Sequence, residues 1–389
     1  MPLQFGIDVI LKDSPDWKSQ RIGMLTNDAA KTKTGINSRK ALKDAGFNLT
    51  KLFSPEHGIN AIGTDGAFMN DGIDELTELS VTSLYGNKYM PVAADVNDID
   101  IMLFDIPDAG TRFYTYLWSM TYWMEAAAKY NKQVIILDRP NPLGGSIAMC
   151  EGPMLDNDIS SFIGRFNIPI KHQCTLGELA TYFNKSQCWD THLTVIKCEG
   201  WKREQLFYDW NIRWSNPSPA LQNIEATILY PGLCFFEATN ISVGRGTQYS
   251  FEWIGAEWFN LPAIIMVCQN ILADDFKIET LNLPVLTNGV TKMTKGIRLK
   301  VIEPSQYDAV LNGLLLLKLI KDIHPKDFKW AHYPTNANPS GENHLSLLLG
   351  IPNAEAIFDL PLQNWLQQMN ILLRVDEWRS EIEPYLLYP

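Results

Sequence analysis

The chain has 389 residues, 46% of them hydrophobic, which is enough to bury substantial cores and fits two domains better than one or three. Its formal net charge of -11 and pI near 5.1 argue against a general binder of nucleic acid or of anionic membranes, because both depend on basic surface. Six cysteines, at 150, 174, 188, 198, 234 and 268, form no CxxC pair and no metal-type spacing, so reduced and mostly buried thiols are expected rather than a zinc site.

The first residues, MPLQFGIDVILKD, lack a basic region followed by a long apolar run. A cytoplasmic protein is therefore expected, or a periplasmic one if a leader has been removed. Short apolar runs then alternate with helix-like patterns. RIGMLTN (21–27), FNLTKLFS (47–54), DIDIMLFDIP (98–107), KQVIILDRP (132–140) and THLTVIKCE (191–199) read as strands. NSRKALKDAG (37–46), LWSMTYWMEAAAKY (117–130) and TLGELATYFN (175–184) read as the helices between them. Ile, Val and Leu strands separated by amphipathic helices predict an α/β fold with a Rossmann-like parallel sheet covered on both faces.

The alternation breaks at NPSPALQN (216–223), which places a boundary between a Rossmann-like domain at 1–222 and a smaller α+β domain at 223–389. In the second part, FEWIGAEWFNLPAIIMVCQNILAD (251–274) reads as helix, KGIRLKVI (295–302) as strand and YDAVLNGLLLLKLIKDIH (307–324) as amphipathic helix. PLQNWLQQMNILLRVDEWRSEI (361–382) reads as a final helix. LNGLLLLKLI (311–320) is too short for a membrane span and carries Lys318, so no membrane insertion is expected.

Three strand ends carry acids: Glu56 in FSPEHG, Asp105 and Asp108 in FDIPDAG, and Asp138 in ILDRP. In a parallel sheet these ends share one edge, so residues distant in sequence are expected to converge there. Converging carboxylates suit acid/base chemistry at a glycosidic bond, where one group protonates the leaving oxygen while another stabilises charge or activates water. Any one of these acids could equally cap a helix or fix a loop; the set together points to a site. His57 reads as a partner that holds Glu56 in place, ahead of general base and of metal ligand, since the other histidines follow no ligand spacing.

Polar groups suited to a ligand surround the acids: Arg112, Tyr114 and Tyr116 in TRFYTY, Arg139 and Asn141 in DRPNPLGG, and Glu151 in EGP. Arginine matches a carboxylate with a planar fork, and tyrosine stacks on a sugar face while donating a hydrogen bond. The tyrosines would serve equally as core, and Asp138 with Arg139 as a structural ion pair. YPGLCFFEATNISVGRGT (230–247) adds Glu237, Asn240 and Arg245, the last between two glycines that allow a tight turn. Tyr249 stands where a GxGxxG fingerprint needs glycine, and no P-loop, GxSxG or HExxH occurs, so no cofactor is expected.

Taken in order, SPEHG, FDIPDAGTRFYTY, LDRPNPLGG, EGPMLD, HQCTLGELATYFN, NPSPA and YPGLCFFEATNISVGRGT resemble the NamZ-like exo-β-N-acetylmuramidase family of glycoside hydrolases, formerly a domain of unknown function. The resemblance implies release of N-acetylmuramic acid from the non-reducing ends of peptidoglycan fragments, in a cleft between the two domains. It also implies a catalytic glutamate at Glu56, with Asp105, Asp108 or Glu237 as second carboxylate and Arg245 or Arg112 on the lactyl carboxylate. Elimination in the same pocket to an unsaturated product, or a non-catalytic muropeptide binder, are the competing readings; oligomeric state stays open. Two segments depart from the family pattern: INAIGTDGAFMNDG after Glu-His-Gly, and NPSGENHLSLLLG near the carboxy terminus.

Overall fold

The structure is a computed structural model that describes residues 2–272, 274–287 and 289–389. After helix α1 (Gly6–Asp13), the first domain runs β1 (Ile22–Thr26), α2 (Ser38–Asp44), β2 (Leu49–Ser54), β3 (Gly72–Ile73), β4 (Ser80–Ser83), α3 (Ala93–Val96) and β5 (Ile101–Asp105). It continues with α4 (Tyr116–Lys129), β6 (Gln133–Leu137), α5 (Leu176–Ser186) and β7 (Leu193–Ile196). The strands form one sheet in the order β3-β4-β2-β1-β5-β6-β7, parallel except for β3. Because β1 lies between β2 and β5, the chain winds outward in both directions from the middle, as a doubly wound Rossmann-like sheet does. IGMLT of β1 and IMLFD of β5 are buried at every position, as strands covered on both faces must be.

The second, smaller domain contains α6 (Ile224–Leu233), β8 (Trp253–Gly255), α7 (Leu261–Ile271), β9 (Phe276–Thr287), β10 (Val290–Val301) and α8 (Ala309–Ile323). Four shorter helices follow: α9 (His344–Leu349), α10 (Ala354–Ile357), α11 (Leu362–Leu372) and α12 (Asp376–Ile382). Its three strands pair antiparallel in the order β8-β10-β9. Among the described residues no helix is long and apolar enough to cross a membrane.

The first domain's strands and helices fall where periodicity placed them; three expectations in the second need correction. Residues 251–274 are not one helix: Trp253–Gly255 is a strand paired to β10, and only Leu261–Ile271 is helical. Ala273 of that stretch lies outside the described residues. The aromatic cluster that suggested helix instead puts the Trp253 indole over the sheet, against Leu283 and Val285. β9 was not foreseen: FKIETLNLPVLT alternates in FKIE and again in LNLPV, but the phase slips at Glu279-Thr280 and Pro284 stands within the run. The last predicted helix breaks in two. Trp365 and Met369 are buried on α11 and Trp378 and Ile382 on α12; an unbroken helix would put the two pairs on roughly opposite faces.

The two domains are tied by buried charge. Glu151 of the first caps α8 of the second, accepting from the backbone N–H groups of Ala309 at 2.9 Å, Val310 at 2.8 Å and Leu311 at 3.3 Å, and from Lys171 Nζ at 3.0 Å. A carboxylate at this end satisfies donors the helix cannot and meets the positive end of its dipole. The chain's last residues return to the first domain: the Tyr388 hydroxyl donates to Asp138, and the Leu387 N–H donates to Glu178 at 2.9 Å. Glu151→Ala leaves Lys171 as an unpaired buried cation and uncaps α8, so it should cost about 3–5 kcal/mol in urea unfolding, with Glu151→Gln recovering part of the loss.

Candidate active site

β2 delivers the site. It ends at Ser54, Pro55 cannot extend the ladder, and the chain reverses through His57 and Gly58, both with positive φ (67° and 73°). A left-handed histidine is uncommon, and strain of this kind gathers where a side chain must be aimed. Glu56 is 5% exposed at the bottom of a cleft between the domains. One carboxylate oxygen accepts from Gly66 N–H at 2.9 Å, the other from the Thr115 hydroxyl at 2.7 Å. His57 Nδ1 donates to the Gly63 carbonyl at 2.8 Å, which fixes the ring and leaves Nε2 as its free nitrogen. The Tyr85 phenol lines the same cleft, kept protonated by burial and then by the Glu56 charge.

The opposite wall is a second charged cluster. Arg245, presented between Gly244 and Gly246 with φ of 72° and 79°, donates through Nε to Glu237 and lies 3.4 Å through Nη2 from Asp65. The Tyr333 hydroxyl meets Asp65 at 2.8 Å and Glu237 at 3.3 Å. The two carboxylates end up on opposite sides of their ordinary values. Burial pushes Glu237 up, and the Arg245 charge only partly offsets it. Burial would raise Asp65 as well, but the charges of Arg245 and His57 and the Tyr333 hydroxyl outweigh it and hold that carboxyl below the usual range. Ligand atoms of Glu56, His57 and Asp65 all lie within 4.8 Å of one another, so these three could also hold a cation. Behind Tyr333, His344 stacks at 4.6 Å and 20°, its Nε2 buried without a partner.

Of the residues singled out in the sequence, Glu56, His57, Tyr114, Glu237 and Arg245 line this cleft. Tyr116 sits directly behind it, edge-on to His57 at 6.4 Å, its hydroxyl donating to the Pro217 carbonyl at 2.5 Å. The other acids do not converge here. β1 separates β2 from β5, and β6 lies one strand further, so their carboxyl ends open at different places along the edge. Asp105 pairs with Arg139 at 2.5 and 3.0 Å, and Asp108 faces His172 at 3.2 Å. Asp138 holds the start of α5, accepting from Thr175 at 2.7 Å and Gly177 at 2.8 Å; burial pushes its carboxyl up to about 6.

Arg112 is spent on structure. Its guanidinium donates to the carbonyls of Pro153 at 2.7 Å, Ile168 at 2.9 Å and Leu348 at 2.9 Å, so it has no open face for a ligand. Asn141 shapes its own turn through the Leu143 N–H at 2.9 Å and the Cys174 carbonyl at 3.1 Å. Asn240 bonds Asp327 and Lys329 backbone atoms, both at 2.9 Å, and Glu151 caps α8. Sequence reasoning missed Asp65, Thr115, Tyr333 and His344. Asp65 and His344 lie in the two segments that depart from the family pattern, so the departure was itself the available signal.

The comparisons with known proteins agree with this architecture. Residues 22–225 match the N-terminal domain, and residues 228–388 the C-terminal domain, of exo-beta-N-acetylmuramidase NamZ. The chain belongs to the NamZ family. It is 38% identical over 335 residues to the peptidoglycan beta-N-acetylmuramidase NamZ of Bacillus subtilis strain 168, covering 84% of this chain and 80% of that relative. It also resembles crystal structures of two DUF1343 family proteins of Bacteroides fragilis, with TM-scores of 0.87 and 0.67 at 26% and 28% identity, over 100% of this chain and 99% of each of theirs. The fold and the family implied by the sequence motifs are thus both borne out.

As it stands, the free space in this NamZ-family cleft is narrow, about 60 Å³. The 63–67 turn closes it by two hydrogen bonds to the second domain, Tyr333 to Asp65 at 2.8 Å and Asn336 N–H to the Gly66 carbonyl at 2.8 Å. His344 gives a pH test of the same wall. Burial lowers its pKa to about 4 from an ordinary 6.5. Between those values the unfolded chain binds a proton that the folded one refuses, so stability complete above pH 6.5 drains as pH falls towards 4, by up to ~3 kcal/mol. Urea unfolding from pH 7 to 4 should show this loss, and His344→Gln should flatten that part of the profile.

Proposed function

We propose that the protein is an exo-acting glycosidase that releases N-acetylmuramic acid from the non-reducing end of peptidoglycan fragments. The observation that carries this reading is the Glu-His-Gly turn at the bottom of an interdomain cleft in a NamZ-family chain, with an ionised carboxylate beside it and an arginine on the far wall. In this reading the division of labour follows from environment. Asp65 is held ionised, and Glu56, fixed in position by Thr115 and Gly66, is assigned the transfer of the proton to the glycosidic oxygen. Positive charge growing on the sugar is met by Asp65. The substrate's own acetamido carbonyl then attacks the anomeric carbon, with Asp65 orienting its N–H, and water opens the intermediate with Glu56 as base.

The Arg245 guanidinium, stacked 4.9 Å over Phe251, is the cleft's cationic group for the lactyl carboxylate, with Nη1 available beyond the bonds to Glu237 and Asp65. His57 acts by holding the turn that aims Glu56. Separations of about 5–5.5 Å between the two carboxyl groups accompany retention, whereas about 6.5–9.5 Å leaves room for the water of an inverting enzyme. With the acetamido carbonyl as nucleophile, retention follows from two successive displacements at the anomeric carbon rather than from the spacing of two carboxyl groups.

Mass spectrometry of the products from MurNAc-β-1,4-GlcNAc tests the reading. Wild type should give N-acetylmuramic acid carrying the added water, and Glu56→Gln should lose at least ~100-fold in rate; a product lighter by one water would mean elimination instead. Proton NMR of the first product should find the β-anomer, and the α-anomer would rule out the acetamido route. Arg245→Lys should cut the preference for muramyl over glucosaminyl substrates by roughly 10–100-fold in kcat/KM, the worth of one charge-assisted pair.

A further inference from the structure

The cleft at Glu56 is not the roomiest hollow in the molecule. A chamber of about 650 Å³ opens beside it, lined by Ala29, Pro107, Asp108 and Arg139 just past the ends of β1, β5 and β6. This is the point where the strand order reverses, the place where open α/β sheets receive ligands, and the volume lies within the range of small-molecule sites. Phe5, Phe207, Trp210 and Trp214 give it aromatic walls. Lys31, Lys33 and Arg213 line it too, and among the described residues none of the three makes an ion pair, in a chain whose net charge is -11. Arg139 is neutralised by Asp105 and adds no free charge.

Two buried polar atoms of the lining have no partner: Asp108 Oδ1, on a residue 5% exposed, and Trp210 Nε1, on one 8% exposed. Buried polar groups are nearly always satisfied, so a lone acceptor and a lone donor in one chamber suit a ligand with hydroxyl or amide groups. Aromatic faces, free cations and unpaired polar atoms together describe a carboxylate-bearing saccharide.

The chamber is also connected to the chemistry. A hollow of about 310 Å³ shares Lys31, Trp214 and Ser215 with it. Asn60, Ala61 and Ile62, directly after the Glu56-His57 turn, form another wall of that hollow, and Ser218 lines both the hollow and the Glu56 cleft. The cleft, the hollow and the chamber thus adjoin one another along the segment 214–218.

We propose that the hollow and chamber hold the part of the substrate beyond the bond that is cut, with the cations receiving a carboxylate on the second sugar of the leaving portion. That carboxylate is either the lactyl group itself or the acid of a peptide attached to it. The assignment rests on the glycosidase reading above and deepens it: the protein recognises chain beyond the sugar it removes.

Two arms test it. In the first, binding of the leaving disaccharide GlcNAc-MurNAc to the Glu56→Gln protein is followed by tryptophan fluorescence and calorimetry. The disaccharide is offered as free acid, as methyl ester, and carrying L-Ala-D-Glu. Lys31→Glu and Trp214→Phe should each weaken the free acid by roughly tenfold or more, and esterification should do the same. If only the peptide-bearing ligand responds to Lys31→Glu, the peptide acid is the group held. In the second arm, the ratio of kcat/KM on MurNAc-GlcNAc-MurNAc-GlcNAc to that on MurNAc-GlcNAc should exceed one in wild type and collapse towards one in Lys31→Glu. Equal affinity of all ligands for all variants, or an unchanged ratio, overturns the proposal. Absence of turnover on either saccharide would sink the glycosidase reading while the binding arm still judges the chamber.

Discussion

The buried Glu151 carboxylate is the constraint on which the rest of the architecture hangs. It leaves the first domain, ends inside the second, and there stands in for the missing partners of three backbone donors at the start of α8. Ion pairs removed from water gain little unless their remaining lone pairs are used, and here Lys171 and the three N–H groups use them. Arg112 repeats the device in the opposite sense, a buried cation surrounded by three carbonyls, one of them Leu348 at the end of the helix that carries His344. Between them these two residues fix the distance across the cleft, so that side chains from β2, from the turn after α6 and from residues 333–344 meet within a few ångströms.

The cleft divides charge unevenly. Asp65, Glu237 and Arg245 form a bridged cluster with two acids and one base, resolved by favouring ionised Asp65 and raising Glu237. Glu56 lies beside that cluster, within 4.8 Å of Asp65, but takes its own hydrogen bonds from the neutral Gly66 N–H and Thr115 hydroxyl. Two carboxylates with unlike surroundings are the usual means of obtaining unlike roles at one pH. The same contacts that set the electrostatics also join the two domains, since the Tyr333 hydroxyl meets both acids.

Much of this was legible in the sequence, for identifiable reasons. Strands such as IGMLT and IMLFD are buried on both faces, so an unbroken apolar run is their signature, and the Rossmann-like sheet followed directly. Glu56 was legible because Pro55 and Gly58 mark the end of its strand. The expected convergence of Asp105, Asp108 and Asp138 failed because strand order, which no local pattern reveals, puts β1 between β2 and β5. Arg112 looked like a ligand group and is a structural one, since a residue's chemistry does not state whether its donors are already spent. Tyr333, from irregular chain, and His344, the first residue of α9, lie about 280 residues from Glu56, where neither periodicity nor spacing carries a signal.

The return of the last residues to the first domain bears on how the molecule is made. Tyr388 closes on Asp138 across 250 residues of intervening chain, and Leu387 on Glu178 across 209. At ribosomal rates of about 5–20 residues per second, Asp138 waits roughly 13–50 s for that hydroxyl to be synthesised. Until then one edge of the Rossmann-like sheet is finished in sequence yet unsealed in space, and contacts this non-local also slow folding. The first domain is therefore synthesised well before the residues that complete its contacts at Asp138 and Glu178.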